Sequence, residues 1–466
     1  MLHDQVPDLL HRATELLEME FANLPAFEPA LESAPDPVAM AQVLELVAHR
    51  LGDNYPYFHP LYAGQMLKPP HPMARAAYAL AMTINPNNHA RDGGRASSEM
   101  EIEAVGEIAK MFGWTEFLGH LTSSGTLANL EALWVAGQLA PGKRIVGSEQ
   151  AHYTHQRISA VLKLEYASVP ADLRGRMNMN ALEIELRKGD VGTVVVTLGT
   201  TALGAVDPLD EVLALRKHYG FRVHVDAAYG GYFRLIPEAL DNPARRAYAV
   251  IDQADSIVVD PHKHGLQPYG CGCILFRDPA VGRFYKHDSP YTYFTSKQLH
   301  LGEISLECSR AGAAAVALWA TQRLLPLQPG GEFARGLACG RAAAVELDRR
   351  LRQDKTGRFQ ALVAGAPELD IVVWKVNGDT SEHSSELAQS ILAACAKRDL
   401  HLALVQLPLS WFDPESKLEA ADGNVNIANP GMVTCLRSVL MKPEHEAWLT
   451  RIWERLTASC AEEMGE

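Results

Sequence analysis

The 466-residue sequence lacks several features that mark specialised classes of protein. It has no block of clustered lysines and arginines, and its formal net charge is -13. A nucleic-acid partner is therefore not expected, because binding to phosphates depends on such clusters. No apolar run approaches the roughly 20 residues that a membrane helix needs, and acidic residues interrupt the apolar pattern at the start, unlike a secretory signal. We expect a cytoplasmic protein without a membrane or nucleic-acid partner.

Cysteine is also scarce, with seven residues scattered along the chain. Only one residue separates the closest pair, Cys271 and Cys273, which is too short for an ordinary disulfide or a CxxC metal knuckle. We expect reduced thiols. The remaining composition, 47% hydrophobic and 21% charged, is that of an ordinary globular protein, for which a small-molecule site is the default expectation.

Between about residues 95 and 275, helical patterns alternate with short β-branched runs. Strands that alternate with helices predict an α/β fold with a mostly parallel sheet covered on both faces. The predicted strands are KRIVGSE (143–149), TVVVTLG (193–199), FRVHVDAA (221–228), SIVVD (256–260) and CILFRD (273–278).

The two ends of the chain differ from this middle part. The first 50 residues have a helical pattern interrupted by prolines, and QPGG at 328–331 breaks the chain after a long helical stretch. Beyond it, the strand-like runs at 370–376 and 434–440 flank a helical pattern at about 384–398, which predicts a small α+β lobe. The predicted regions are an N-terminal helical segment (1–75), a large domain (76–328) and a small C-terminal domain (329–466).

Polar clusters follow several predicted strands, where ligands of open α/β sheets bind. In TSSGTLAN, Ser124, Gly125 and Thr126 begin a helix, where free amides and the helix dipole favour a phosphate, although such residues are also ordinary helix caps. In HVDAAYGG, Asp226 ends a strand and is followed by small residues that would let a flat ligand approach. A buried capping carboxylate is the alternative interpretation of Asp226.

The segment DPHKHG allows three interpretations: a metal site formed by Asp260, His262 and His264, a lysine for covalent catalysis at Lys263, or a solvated loop. The metal site is disfavoured because Pro261 disturbs the strand and because it leaves the lysine and the phosphate-binding pattern unexplained. A phosphate cradle, a strand-end carboxylate, hydroxyls and a lysine together fit pyridoxal 5'-phosphate, held by a covalent bond to Lys263.

These blocks resemble, in the same order, those of the group II pyridoxal-phosphate decarboxylases, which include aromatic amino acid, tyrosine, aspartate and glutamate decarboxylases. The resemblance extends from about residue 56 to 443 and also covers SEQAHYTHQRIS (148–159) and TLGTTALGAVDP (197–208). It implies the aspartate-aminotransferase-type fold, fold type I. It also implies a homodimer with active sites at the interface, in which the N-terminal segment packs on the partner.

The resemblance implies roles for the cofactor-binding residues. Lys263 would bond to the cofactor aldehyde and later move protons, and Asp226 would pair with the pyridine nitrogen. His152 would stack on one face of the ring and Ala228 would pack on the other. The remaining cofactor contacts would come from Ser124, Gly125, Thr126, Thr201, His262 and, from the second subunit, Ser309.

The resemblance also implies substrate contacts. Arg437 would hold the substrate carboxylate, and a loop tyrosine, either Tyr291 or Tyr293, would protonate the carbon that loses CO2, with Tyr293 fitting the aromatic enzymes slightly better. Asp260 departs from the asparagine of those enzymes. Because a carboxylate repels a phosphate, we expect Asp260 to point away or to bind a neighbouring donor. Further substrate-binding candidates are Tyr57, Phe58, His59 and His89.

The predicted function is decarboxylation of an L-amino acid to an amine and CO2 by a pyridoxal-phosphate-dependent carboxy-lyase. Three alternatives remain at this point: carbon–carbon cleavage of a phosphorylated amino alcohol, oxidative decarboxylation and deamination to an aldehyde, and a binding homologue without activity. The sequence leaves the identity of the amino acid open.

Overall fold

The chain folds around two β-sheets, as the computed structural model shows. Helices cover both sheets. None of the described helices is long and apolar enough to cross a membrane. The structure describes residues 5–28, 30, 36–286, 304–413 and 431–465.

The larger sheet has seven strands in the part of the chain that the structure describes. They are β1 (Leu118–Thr122), β2 (Arg144–Ser148), β3 (Tyr166–Val169), β4 (Val191–Thr197), β5 (Arg222–Asp226), β6 (Ser256–Val259) and β7 (Gly272–Phe276). Their order in space is β1-β7-β6-β5-β4-β2-β3. Each neighbouring pair from β6 to β3 is parallel, and β7 is antiparallel to both β1 and β6. The predicted, mostly parallel sheet is confirmed.

The helices that follow the strands of this sheet explain why it is buried. One helix separates each strand from the next between β1 and β6, and β4 is buried along its whole length. Strands covered on both faces are expected to be rich in valine, as the run of β4 is. The helices of the first two thirds of the chain are α1 (Val6–Glu20), α2 (Pro37–Leu51), α3 (Pro72–Met82), α4 (Arg95–Met111), α5 (Gly125–Leu139), α6 (Thr154–Val161), α7 (Met179–Leu186), α8 (Leu209–Tyr219) and α9 (Asn242–Ala249).

The smaller sheet is antiparallel throughout, in the order β10-β11-β9-β8. Its strands are β8 (Phe359–Ala361), β9 (Ile371–Val376), β10 (Ala403–Pro408) and β11 (Met432–Val439). It shares a buried apolar cluster with the helices of this region, and the expected α+β lobe is confirmed. The division at residues 75 and 328 stays a prediction. The helices of this last third are α10 (Gly312–Leu324), α11 (Glu332–Gln353), α12 (Ser381–Ala396) and α13 (His445–Met464).

Helices α1 and α2 contain no buried residue. The start of α2 is well formed, because the Asp36 carboxylate accepts hydrogen bonds from the amides of Val38 and Ala39, and Pro37 is the first helical residue. Local signals therefore form this helix, but the described chain does not cover its apolar side chains.

Candidate active site

The candidate site lies at the carboxyl ends of the parallel strands, where the sequence predicts it. A cavity of about 200 Å³ opens between the ends of β4, β5 and β6 and the start of α5. Nine residues predicted to bind the cofactor line it together: Ser124, Gly125, Thr126, His152, Thr201, Asp226, Ala228, His262 and Lys263.

Lys263 enters this cavity from the loop that follows β6. Its Nζ lies 3.2 Å from Oδ2 of Asp260, which is 3% exposed. The loop returns on itself, since the Lys263 amide donates to the Asp260 carbonyl at 2.9 Å. Asp260 therefore binds a neighbouring donor, one of the two expectations for it. The other carboxylate oxygen, Oδ1, is buried without a hydrogen-bond partner among the described residues.

The start of α5 forms the opposite wall. Ser124 caps the helix, its hydroxyl accepting the amide of Leu127 at 3.3 Å. A Cβ at position 125 would lie 2.5 Å from both carboxylate oxygens of Asp260, so only glycine fits here without a shift. Nearby, Nδ1 of His262 lies 2.8 Å from the Cys271 carbonyl and donates to it, which fixes the position of the ring. Free helix amides together with this histidine suit a phosphate.

Asp226 occupies the end of β5 and is 4% exposed. Its Oδ2 accepts hydrogen bonds from Nε2 of His155 at 2.7 Å and from Nδ2 of Asn129 at 3.3 Å, and its Oδ1 accepts the amide of Ala228 at 3.1 Å. Burial by itself raises the pKa of the Asp226 carboxyl, but the hydrogen bond and the charge of His155 outweigh it and leave this pKa well below the usual value. Asp226 is therefore ionised at neutral pH.

A hydrogen-bonded chain extends behind this carboxylate. Nε2 of His224 donates to Oδ1 of Asn129 at 2.8 Å, and Nδ1 of His224 lies 2.9 Å from the Ser256 hydroxyl. Burial lowers the pKa of His224 to about 3, so the ring is neutral and accepts the Ser256 proton at Nδ1. With its oxygen occupied, the amide of Asn129 must present its NH2 group to Asp226. The sequence analysis missed Asn129, His155 and His224, the three residues that support Asp226 directly or through the chain. The sequence contained one signal for His155, since this second histidine of AHYTH follows His152 by about one helical turn.

A second cavity, of about 320 Å³, adjoins the first and shares His152 and Thr201 with it. Arg437 lines this second cavity and is 4% exposed. Its guanidinium donates to the Thr201 carbonyl at 2.6 Å, the Ala202 carbonyl at 3.1 Å and Oε1 of Gln65 at 3.3 Å. The arginine predicted for the substrate carboxylate is thus held rigidly beside the cofactor-side residues.

His152 stands between the two cavities. Its Nδ1 lies 2.7 Å from the Thr154 hydroxyl, which fixes the ring at the start of α6. Burial lowers the pKa of His152, so its neutral form dominates at pH 7. A neutral imidazole suits stacking on an aromatic ring.

The structure does not bring the other substrate-binding candidates to these cavities within one chain. Tyr57 packs edge-on against Tyr62 with ring centroids 4.8 Å apart, and His59 packs against Trp448, also at 4.8 Å. Phe58 lines a different, third cavity, and His89 lines none of the three. Their roles stay predictions.

Three further predicted residues remain to be considered. Ser309 accepts a hydrogen bond from Nδ2 of Asn87 at 3.2 Å and does not line the cavity of its own chain. A contribution to a partner subunit stays a prediction. Tyr291 and Tyr293 lie outside the residues that the structure describes.

These residues fit pyridoxal 5'-phosphate. An amine, an ionised carboxylate at a separate anchor point and a helix N-terminus share one cavity. The described residues contain no group of three His, Cys, Asp or Glu placed to hold a metal ion. His262 and His264 line different cavities. His262 lines the candidate active site, whereas His264 lies 3.3 Å from Oδ2 of Asp370 and lines the third cavity.

Comparison with known proteins agrees with this geometry. The model of the pyridoxal-dependent decarboxylase conserved domain matches residues 53–329. The L-tyrosine decarboxylase of Enterococcus faecium is 29% identical, with 71% of this chain and 70% of that protein aligned. The probable L-tyrosine/L-aspartate decarboxylase of Methanothermobacter thermautotrophicus is 30% identical, with 67% of this chain and 82% of that protein aligned.

Two crystal structures share the fold. Mouse CSAD has a TM-score of 0.75 at 21% identity and covers 96% of this chain and 91% of its own. Oryza sativa TDC with PLP and tryptamine has a TM-score of 0.76 at 18% identity, covering 99% of this chain and 98% of its own. The fold is therefore fold type I, as expected.

Proposed function

The chain belongs to the pyridoxal-dependent decarboxylase family, and we propose that it removes CO2 from an L-amino acid with Lys263 as the residue that holds pyridoxal 5'-phosphate. Its activity is that of a pyridoxal-phosphate-dependent carboxy-lyase. One observation supports the assignment to Lys263 above the others. Lys263 and the ionised Asp226 line the same cavity, although they come from the ends of two neighbouring strands.

The bound cofactor supplies a sink for the electrons left behind when CO2 departs. Asp226 is placed to accept a hydrogen bond from the protonated ring nitrogen, because its carboxylate stays ionised although it is buried. His155 and Asn129 hold this carboxylate and would keep it from rotating. The chain's contribution at this end is a fixed, buried negative charge.

At the other end, the backbone amides at Gly125 and Thr126, together with the hydroxyl of Ser124, would bind the phosphate. His262 and Thr201 line the same cavity, and the Thr201 hydroxyl would add a further donor. His152 and Ala228 would contact the two faces of the ring. These contacts would fix the cofactor so that the Lys263 amine can reach its aldehyde.

For the substrate carboxylate, we propose Arg437 with His152 beside it. Two backbone carbonyls and the Gln65 side chain anchor the guanidinium at the edge of the adjoining cavity. A planar, permanently charged donor suits a carboxylate better than a lysine would. In this arrangement the carboxylate is held beside the cofactor-side cavity and out of bulk water.

A screen of L-amino acids for CO2 release tests the proposal, with L-tyrosine, L-aspartate and L-2,4-diaminobutyrate first because relatives carry these names. We expect one of them to yield equimolar CO2 and amine. Lys263→Ala should abolish both the reaction and the borohydride-dependent fixation of the cofactor to the protein, whereas the surface variant Lys143→Ala should change neither. Fixation that persists in Lys263→Ala would disprove the assignment. Aldehyde in place of amine would establish the oxidative alternative.

We also propose a homodimer. Met40, Leu44, Val47 and Leu51 recur on one face of α2, and each is at least 44% exposed. An apolar face of this size indicates a protein contact, and closed two-fold dimers are the commonest soluble assembly. A cytoplasmic location is proposed on a separate ground, since none of the seven cysteines forms a disulfide.

A further inference from the structure

A third cavity, of about 520 Å³, lies on the far side of the loop that carries Lys263. Lys263 lines the candidate active site, whereas His264 and Leu266, one and three residues later, line this cavity. Its volume is within the range of about 300–1,000 Å³ typical of small-molecule sites. Much of the wall is apolar and comes from the proline-rich segment at 69–72 and the first turns of α11.

Two lysine amines belong to the wall of this cavity, one of them buried. Lys442 is 4% exposed, and its Nζ donates to the Tyr62 carbonyl at 2.6 Å. Nζ of Lys68 donates to the Met441 carbonyl at 3.3 Å. Neither lysine forms an ion pair with a carboxylate of the described chain, and burial lowers the pKa of Lys442 to about 7 and that of Lys68 to about 8. An anion bound beside these amines would favour their protonated forms and would be stabilised by them.

His264 joins this cavity to the loop that carries Lys263. It is 1% exposed and lines the cavity, and its Nδ1 has no hydrogen-bond partner among the residues that the structure describes. Its Nε2 faces Asp370, at 3.3 Å from Oδ2.

The wall of the cavity carries both acidic and basic side chains. Glu332 and Glu444 also line the cavity, against Lys68, Lys442 and Arg335. With both lysines protonated the wall carries an excess of one positive charge, which suits a single carboxylate, and the apolar wall suits a hydrocarbon or ring attached to it. A polyanion would meet the two glutamates.

We propose that this cavity binds a small amphipathic monocarboxylate, with the carboxylate between Lys68 and Lys442 and the apolar part against the proline-rich segment. The occupant would contact the loop that positions Lys263. That loop is tightly held, since Leu266 has a left-handed backbone (φ 65°) and its carbonyl accepts the His71 amide at 2.9 Å. This site is separate from the proposed decarboxylase chemistry and does not depend on it.

Cys339 provides a local readout, because its side chain lines the cavity, whereas Cys308 is exposed elsewhere. The probe is 3-phenylpropionate, which has a ring and a carboxylate but no amine to react with the cofactor. Alkylation of each cysteine in the holoenzyme is followed by peptide mass spectrometry, with and without the probe. At about ten times its dissociation constant, a bound probe should slow modification of Cys339 roughly tenfold. Modification of Cys308 should not change.

Two variants locate the effect. Lys442→Met and Lys68→Met replace each ammonium group by an apolar side chain of similar length, and either should abolish the protection of Cys339. Lys397→Met, at an exposed position, should leave the protection intact. Having both cavity variants keeps the test valid if one of them fails to fold. Unchanged Cys339 reactivity at saturating probe, or equal protection in both cavity variants, would overturn the proposal.

Discussion

Nε2 of His155 lies 2.7 Å from Oδ2 of Asp226, and both side chains are almost fully buried. This contact lowers the pKa of the Asp226 carboxyl, whereas burial alone would raise it. A lone buried aspartate would be protonated more readily than one in water. The carboxylate expected to face the cofactor nitrogen is therefore held in its ionised form by a residue that itself does not line the cavity.

Replacing His155 by leucine should raise the pKa of Asp226, because burial then dominates. A protonated Asp226 cannot accept the ring N–H, so the acid limb of the kcat profile should move to higher pH. We expect kcat at pH 7 to fall about 10- to 100-fold, the range set by one hydrogen bond to a charged group. The measurements are kcat against pH and cofactor affinity by fluorescence titration.

The variant His155→Gln distinguishes a positioning role of His155 from a role in packing alone. Its amide can still donate to Asp226, so it should recover part of the activity and return the acid limb toward that of the wild type. If His155→Leu lowers only the melting temperature and leaves the pH profile unchanged, His155 has a packing role alone.

Asp226 could be predicted from the sequence, but its partners could not. Asp226 ends a β-branched run and is followed by small residues, a local pattern that can be recognised in one segment. Asn129, His155 and His224 come from three different segments, and only the packing of α5 and α6 against β5 brings them together. Apart from the spacing of His152 and His155 in AHYTH, the sequence gives no sign of these contacts.

The same contrast holds for the fold. The valine-rich runs that the sequence predicts as strands become β4 and β6 almost unchanged, because continuous burial requires continuous apolar sequence. β1 is missed, since Gly119 and His120 interrupt its pattern, although His120 is buried and bonds to Glu131 at 2.9 Å. β3 is a short edge strand with one buried residue, and it is too short for an alternating pattern of apolar and polar residues to be recognised.

The exposed face of α2 leads to a prediction about assembly. In the dimer we propose, Leu44 and Leu51 would be buried, so the double variant Leu44→Glu/Leu51→Glu should weaken association by placing two charges in an apolar contact. We expect light scattering after size exclusion to give a mass near one chain, against two for the wild type. Gln42→Glu, on the opposite face of the helix, should remain dimeric. A double variant with an unchanged mass would exclude α2 from the interface.

Glu368 should make the stability of the protein depend on pH. Burial raises its pKa to about 7, although Oε2 accepts the Val206 amide at 2.6 Å. A carboxyl whose folded pKa exceeds its unfolded pKa destabilises the fold as pH rises from the unfolded value to the folded one. Glu368→Gln keeps the acceptor and removes the charge, so its stability relative to the wild type should improve between pH 5 and pH 8. The improvement expected from linkage is about 2 kcal/mol.

Thermal unfolding of cofactor-saturated protein at both pH values measures this difference. Glu346→Gln is the matched control, because hydrogen bonds from Arg349 and Arg350 lower the pKa of Glu346 to about 2. Its effect should be the same at pH 5 and pH 8, since Glu346 is ionised throughout that window. A Glu368→Gln effect that is equally constant would show that Glu368 is ionised at pH 5 as well.

Two tyrosines, Tyr291 and Tyr293, stand in the segment that resembles the catalytic loop of the family, whereas the reaction needs one acid to protonate the carbon that loses CO2. Replacing that acid by phenylalanine should preserve substrate binding and CO2 release but slow amine formation, because the unprotonated carbon would be open to oxidation by O2, which with water would give aldehyde, ammonia and hydrogen peroxide. We expect this result for Tyr293→Phe and near-normal amine yield for Tyr291→Phe, its matched control. CO2, amine, aldehyde and peroxide measured from the same reactions distinguish the two tyrosines. Unchanged amine yield in both variants would place the acid elsewhere, on His152 or Lys263, which already line the cavity.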